Sequence, residues 1–287
     1  MMKKSFFLTI LTFIIFFNLN LKVFSQTTGP ESGTLLIIGG NAKDDIFIPL
    51  FKQLAGGDEA EIVIIPTALD DESLSTDPDF TKLISRFEKY NFKKISVLHT
   101  RNPEEAQSPD FVEPLHSATG VWLQGGRQWR LAVSYLNTLV HLEIFGVLHR
   151  NGVIAGTSAG ATIQGSYLAR GDTKSNTIMM GDHEEGFSLI KNIAIDQHLL
   201  ARNRQFDMFE IINKRPDLLG IGLDENTGII VRGNIFEVVG EHYIAIYDRS
   251  RWSEERDTIY KLPKKSTEFY FLKEGEKYDL LNRKITK

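Results

Sequence analysis

The 287-residue chain is 42% hydrophobic and 24% charged, which is enough apolar material for one large core or two modest ones. Its formal net charge of −4 argues against nucleic acid as the main partner. The absence of cysteine excludes disulfides, thiolate metal sites, a cysteine nucleophile and a lipidated N-terminal cysteine.

Lys3 and Lys4 precede the apolar run "FFLTILTFIIFFNL", and "VFS" then offers small or apolar residues before Gln26. This three-part pattern predicts a secretory signal peptide over residues 1–25, cleaved near Ser25. The competing reading is an uncleaved anchor, but Asn18 and Asn20 interrupt a run already short for the ~20 residues of a span. Export predicts a soluble product in the periplasm or the medium, without a stable membrane anchor. Residues 26–33, "QTTGPESG", read as a flexible lead-in, and residues 34–287 as a single α/β domain.

From Thr34, short apolar runs alternate with amphipathic ones. "TLLIIGG" reads as a buried strand, "IFIPLFKQLAG" as a helix, "EIVIIPT" as a strand and "FTKLISRFEKYNF" as a helix. "KISVLH", "GVWLQGG" and "GVIAGTS" continue the strand series, with helices expected over Arg130–Leu148 and Ala161–Leu168. Repeated βα units with continuous apolar strands predict a mainly parallel sheet covered on both faces. Ligands then collect beyond the carboxyl ends of the strands, at Gly39-Gly40, Pro66-Thr67, Gly125-Gly126 and Ser158.

The later runs "NIAID", "IGLDE", "GIIVRG", "IFEVVGE" and "YIAIYD" are close-spaced and joined by Asn and Gly turns, which predicts a mixed or antiparallel β extension of the same domain. The tail over residues 258–287 is polar, with one strand expected at "TEFYFL".

"GTSAG", Gly156 to Gly160, fits the nucleophile-elbow pattern, in which small neighbours permit a sharp strand-to-helix turn that exposes the serine hydroxyl. The bland reading is that Thr157 or Ser158 caps a tightly packed helix. A serine nucleophile needs a base. His198 ends the strand "NIAIDQH", His242 in "GEHYIAIYD" is its rival, and His99, His116, His141, His149 and His183 read as structural or solvated. The third member is a carboxylate that orients the imidazole. "LDENTG" offers Asp224 and Glu225, which as neighbours in an extended chain point to opposite faces; a plain hairpin turn accounts for the same residues. An α/β-hydrolase would run Ser158, then Asp224 or Glu225, then His242, whereas the order Ser158, His198, Glu225 needs another family.

"GTSAGA", "DQHLLARNR" and "GIGLDENTGI" together resemble the cyanophycinase and aspartyl dipeptidase (peptidase E) family of serine peptidases, the cyanophycinase branch being the nearer. The resemblance covers about residues 34 to 248, with "GGRQ" and "SNTIMMGD" as further landmarks. It implies a three-layer α/β/α sandwich like the class I glutamine amidotransferase domain, with extra C-terminal β-strands. It also implies Ser158 as nucleophile, His198 as base and then acid, and Glu225 as orienting carboxylate. In the implied acyl-enzyme mechanism Ala159 with Gly125 or Gly126 supplies oxyanion N–H donors, and neither metal nor organic cofactor is needed.

By the same resemblance Arg202 and Arg204 meet a substrate carboxylate, and Gln128 and Asp196 line the pocket, Asp196 suiting a cationic group. The implied partner is a peptide, cyanophycin or a related β-aspartyl peptide, and a homodimer fits a domain of this class. Two departures stand out. Asp207 holds the place of a family arginine, and "GGNAKDD" replaces the usual first loop, so no role passes to Asp44 or Asp45. Competing functions are an α-aspartyl dipeptidase of peptidase E type, another serine amidase or esterase using His242, and a peptide-binding protein without turnover.

Overall fold

The computed structural model describes residues 27–251 and 269–286, so the expected signal peptide lies outside the described residues. Along the chain run β1 (Thr34–Ile38), α1 (Asp44–Leu54), β2 (Glu61–Ile65), α2 (Asp71–Thr76), α3 (Thr81–Glu88), β3 (Lys94–Val97), α4 (Pro103–Ala106), α5 (Pro109–Ser117) and β4 (Gly120–Leu123). Then come α6 (Gln128–Tyr135), α7 (Leu139–His149), β5 (Val153–Thr157), α8 (Ala159–Thr162), β6 (Gly165–Tyr167), β7 (Ile190–Gln197), α9 (Met208–Lys214) and β8 (Leu219–Leu223). Six strands close the described chain: β9 (Thr227–Arg232), β10 (Ile235–Gly240), β11 (Tyr243–Asp248), β12 (Phe269–Lys273), β13 (Lys277–Asp279) and β14 (Lys284–Thr286).

The larger sheet has the order β14-β13-β10-β9-β1-β5-β4-β2-β3. Its βα half, from β1 to β3, is parallel, and β9, β10, β13 and β14 extend it in antiparallel fashion. Because successive side chains of a strand face opposite ways, Leu36 and Ile38 of β1 pack with Phe47 and Phe51 of α1 and Phe87 of α3. Leu35 and Ile37 pack instead on the α5–α7 side. Each of those fully buried phenylalanines contributes about 1.5–3 kcal/mol of hydrophobic stabilisation. Helices on both faces make the α/β/α architecture that the continuous apolar strands imply.

The β-rich extension divides. Besides the strands added to the first sheet, β12, β11, β8, β7 and β6 form a second, five-stranded sheet. It shares the α5–α7 side of the core through Ile193, Ile195, Ile221 and Ile246. Its other face is covered by α9, where Met208, Ile211 and Ile212 meet Ala245 and Tyr247.

Two local expectations change, and the lead-in makes contacts of its own. The helix expected over Arg130–Leu148 is two helices, α6 and α7, bent by 100° at the intervening break. The helix expected to run to Leu168 ends after one turn, because Gly165 to Tyr167 leaves to pair with β7. Residues 27–33 are docked on the body: the Thr28 N–H donates to Asn234 at 2.7 Å and its carbonyl accepts from Lys191 N–H at 2.6 Å.

The topology also sets the site. β5 lies beside β1 in parallel, with Ile38 opposite Thr157, so the turn after β5 opens at the carboxyl end of β1. β9 runs antiparallel to β1 and starts at that same end, Gly228 facing Ile38. β7 ends opposite Leu223 of β8, just before the connection that leads into β9.

Candidate active site

Ser158 stands at the sharp turn between β5 and α8 with φ 53° and ψ −112°, a backbone conformation that costs a non-glycine residue about 1–3 kcal/mol. The strain is held from both sides. The Ser158 N–H donates to the Ile38 carbonyl at 2.9 Å, and the Ser158 carbonyl accepts from Ala161 and Thr162 at 2.9 and 3.0 Å. Gly160 is required because a Cβ there would overlap the Leu123 carbonyl oxygen. Ser158 occupies the N-cap position of α8, yet its hydroxyl makes no capping bond. Instead Oγ lies 2.9 Å from Nε2 of His198, which disposes of the helix-cap reading of the side chain.

His198 follows the last residue of β7, is buried, and has φ 54°. Its Nδ1 lies 2.6 Å from Oε1 of Glu225. Burial, with Arg202 and Arg204 nearby, pushes the imidazole below its ordinary value of 6.5 against the opposing pull of Glu225. For Glu225, burial alone would raise the pKa. The bonds from His198 and from Asn41, reinforced by the charges of His198 and Arg202, outweigh it and hold the carboxyl below its usual range. Hydroxyl, imidazole and carboxylate thus stand in hydrogen-bonded series, and both shifts favour a neutral imidazole beside an ionised carboxylate at neutral pH.

The choice between Asp224 and Glu225 is decided by which way each faces. Asp224 is buried and its Oδ1 accepts from Leu200 and Ala201 N–H groups at 3.0 and 2.9 Å, closing the turn that follows His198. His242 is exposed between β10 and β11, its N–H donating to Thr227, and among the described residues no bond joins it to Ser158. His99 pairs with Thr67, His141 with the Phe187 carbonyl, His116 with Glu143 and His183 with Asp182.

Gly125 adjoins the serine: a Cβ built on it would lie 3.2 Å from Ser158 Cβ. Gly126, at φ 144°, instead abuts the Ala68 carbonyl, so close approach to that loop accounts for its glycine. Ala159 begins α8, where the N–H has no partner within the helix.

Two expected pocket residues are buried and hydrogen-bonded to the protein itself. The Gln128 side chain is buried and its amide donates to the carbonyls of Ala169 and Arg170, both at 2.8 Å. Asp196 is fully buried and receives a bidentate guanidinium from Arg170, Nε at 2.7 Å and Nη2 at 2.9 Å. The same Arg170 Nη2 donates to Asp207 Oδ2 at 2.6 Å. Asp207 thus completes a cluster of one arginine with two aspartates. Arg204 is buried and donates to the carbonyl and the side chain of Gln197, both at 3.1 Å. Arg202 is exposed and has no side-chain partner among the described residues, so of the expected pocket cations it is the one free to meet an anion.

Neither Asn41 nor Arg170 is singled out in the sequence. Asn41 directly follows the glycine pair at the end of β1, a position where chemistry is expected, whereas nothing local to "LARGD" marks Arg170. Asp44, given no role, joins Arg86 at 2.6 Å and ties α1 to α3.

The model of Peptidase family S51 matches residues 35–239. A cyanophycinase from Nostoc sp. is 30% identical over 241 residues, 80% of this chain and 78% of that protein. One from Geminocystis herdmanii is 29% identical over 223 residues, 75% of this chain and 80% of that protein. Among solved structures, a peptidase from an acI-B1 Actinobacterium has a TM-score of 0.62 at 23% identity, covering 86% of this chain and 97% of its own. A putative peptidase E protein from Listeria monocytogenes has a TM-score of 0.53 at 18% identity, covering 74% of this chain and all of its own. The fold is that of these peptidases.

Proposed function

The chain belongs to peptidase family S51, and from that premise we propose that it is an exported serine exopeptidase of cyanophycinase type, acting through Ser158, His198 and Glu225. The observation that carries this reading is the hydrogen-bonded series from the strained Ser158 hydroxyl through His198 to Glu225. Ser158 Oγ attacks the amide carbonyl while its proton passes to His198 Nε2. Collapse of the tetrahedral species returns that proton to the leaving amine and leaves an ester on Ser158. Water, deprotonated by His198, then hydrolyses the ester. The N–H groups of Ala159 and Gly125 are the oxyanion donors in this scheme, each worth roughly 10²–10³ in rate.

The substrate is cyanophycin or a related β-aspartyl peptide, with Arg202 reading a substrate carboxylate. One observation favours a second reading, an aspartyl dipeptidase of peptidase E type: Asp196 is occupied by Arg170, so a substrate guanidinium finds no free carboxylate there. Export rests on the pattern of residues 1–25. Release assays on cyanophycin and on a panel of aspartyl dipeptides, run with wild type and Ser158→Ala, test the proposal. The variant is expected to lose all turnover, and cleavage at the wild-type rate by Ser158→Ala would contradict it.

A further inference from the structure

Four consecutive residues at the carboxyl end of β1 each bond one of the three segments that carry the proposed machinery. The Ile38 carbonyl accepts from Ser158 N–H at 2.9 Å, the Gly39 carbonyl from His198 N–H at 2.8 Å, and the Gly40 carbonyl from Asn226 N–H at 2.8 Å. The Asn41 Nδ2 then donates to Glu225 Oε2 at 3.1 Å. The chain beyond stays attached, since Lys43 N–H donates to Asn226 Oδ1 at 3.1 Å. Gly40 permits the arrangement: a Cβ on it would overlap the His198 ring.

Resting on the serine peptidase reading above, we propose that residues 38–41 form a jig that sets the register of Ser158, His198 and Glu225, with Asn41 as the positioning residue for the Glu225 carboxylate. A carboxylate with one oxygen on His198 can turn about its last bond, and a donor on the second oxygen removes that freedom. Asn41 is suited to the task because its backbone is left-handed, φ 43°, a region that asparagine tolerates better than most residues. The three backbone bonds need only carbonyl groups, so within the jig the side chain of Asn41 is the part open to substitution. The charged and titratable groups acting on His198 and Glu225 are each other, with Arg202 and Arg204 from the turn after β7, and the Lys43–Glu241 ion pair lies on the far side of Asn226.

Glycine keeps the left-handed backbone without strain, so Asn41→Gly removes the amide alone, and Asn41→Ala adds strain as a control. Asn41→Asp sets a second carboxylate beside Glu225, which favours the imidazolium of His198. The probe is a fluorophosphonate, whose rate of serine labelling is followed against pH, with melting curves for every variant and Glu225→Gln in parallel. Asn41→Gly should label roughly tenfold more slowly with an unchanged melting temperature, the loss expected for one hydrogen bond to a charged group. Asn41→Asp should move the acid limb of the labelling profile to higher pH by about half a unit to one unit, which reports the nearness of this side chain to the Glu225–His198 pair; slower labelling at unchanged melting in Asn41→Gly is the change that a purely structural role would not produce. Wild-type rate and profile in both variants, while Glu225→Gln collapses, would overturn the jig alone. Undiminished labelling in Glu225→Gln would overturn the triad reading, and the jig with it.

Discussion

Asp196 and His198 stand two residues apart at the end of β7, and each joins a three-membered polar cluster of opposite character. Around Asp196 the Arg170 guanidinium is closed on two carboxylates, and the side chains of Arg170 and Asp196 are each only 1% exposed. Around His198 the Glu225 side chain keeps 26% exposure, and Ser158 ends the series with a hydroxyl that can leave it. An ion pair that satisfies itself holds structure; a series that ends on a hydroxyl beside a base is open to react. The comparison predicts that one cluster carries stability and the other carries rate.

The largest effect belongs to the open cluster. His198→Ala should lower peptidase activity by on the order of 10⁴- to 10⁶-fold, with little change in melting, while His242→Ala stays near wild type. Loss of activity in the His242 variant alone would break the comparison. The closed cluster should respond in the reverse sense. Arg170→Met takes from buried Asp196 its bidentate partner and leaves it only the Gln197 N–H and Arg204 at 4.0 Å, and breaking a buried pair in this way costs about 3–5 kcal/mol. Melting should fall by roughly 10 °C, with substantial recovery in the double variant Arg170→Met, Asp196→Asn. Retention of wild-type melting in Arg170→Met would show that the cluster is not structural. Asp207→Asn should cost less, under about 1 kcal/mol, because its side chain is 40% exposed.

A smaller effect sharpens the same contrast through pH. His198 must be neutral to accept a proton, and burial pushes its pKa down. Activity should therefore already be level at neutral pH and fall only as pH drops below about 6.5, the ordinary imidazole value. A rate still climbing between pH 7 and 8 would mean that the imidazole is not the group titrating.

The parallel strands were legible because buried strands read as continuous apolar runs, and β1, β2, β4 and β5 sit where "TLLII", "EIVII", "GVWL" and "VIAGT" predict. The second sheet was not, since nothing in a strand's own residues says which sheet it joins. At the site, Ser158 announces itself by its neighbours, and His198 by its place after a strand. Asp224 and Glu225 are indistinguishable in one dimension, and only the turn after His198, which needs Asp224 for its own N–H groups, separates them. Arg170 stayed hidden for a related reason: it follows β6, and the parallel pairing of β6 with β7 is what brings it to Asp196. A resemblance that makes Gln128 and Asp196 pocket residues carries no information about which internal groups already occupy them.

On the proposed reading Ser158 is the residue that forms the acyl-enzyme. Fluorophosphonate treatment of the active protein, followed by intact-mass measurement and peptide mapping, tests it most directly. One adduct per chain is expected, on the peptide containing Ser158, with activity lost in proportion. An adduct on another residue, or full peptidase activity with Ser158 modified, would contradict it.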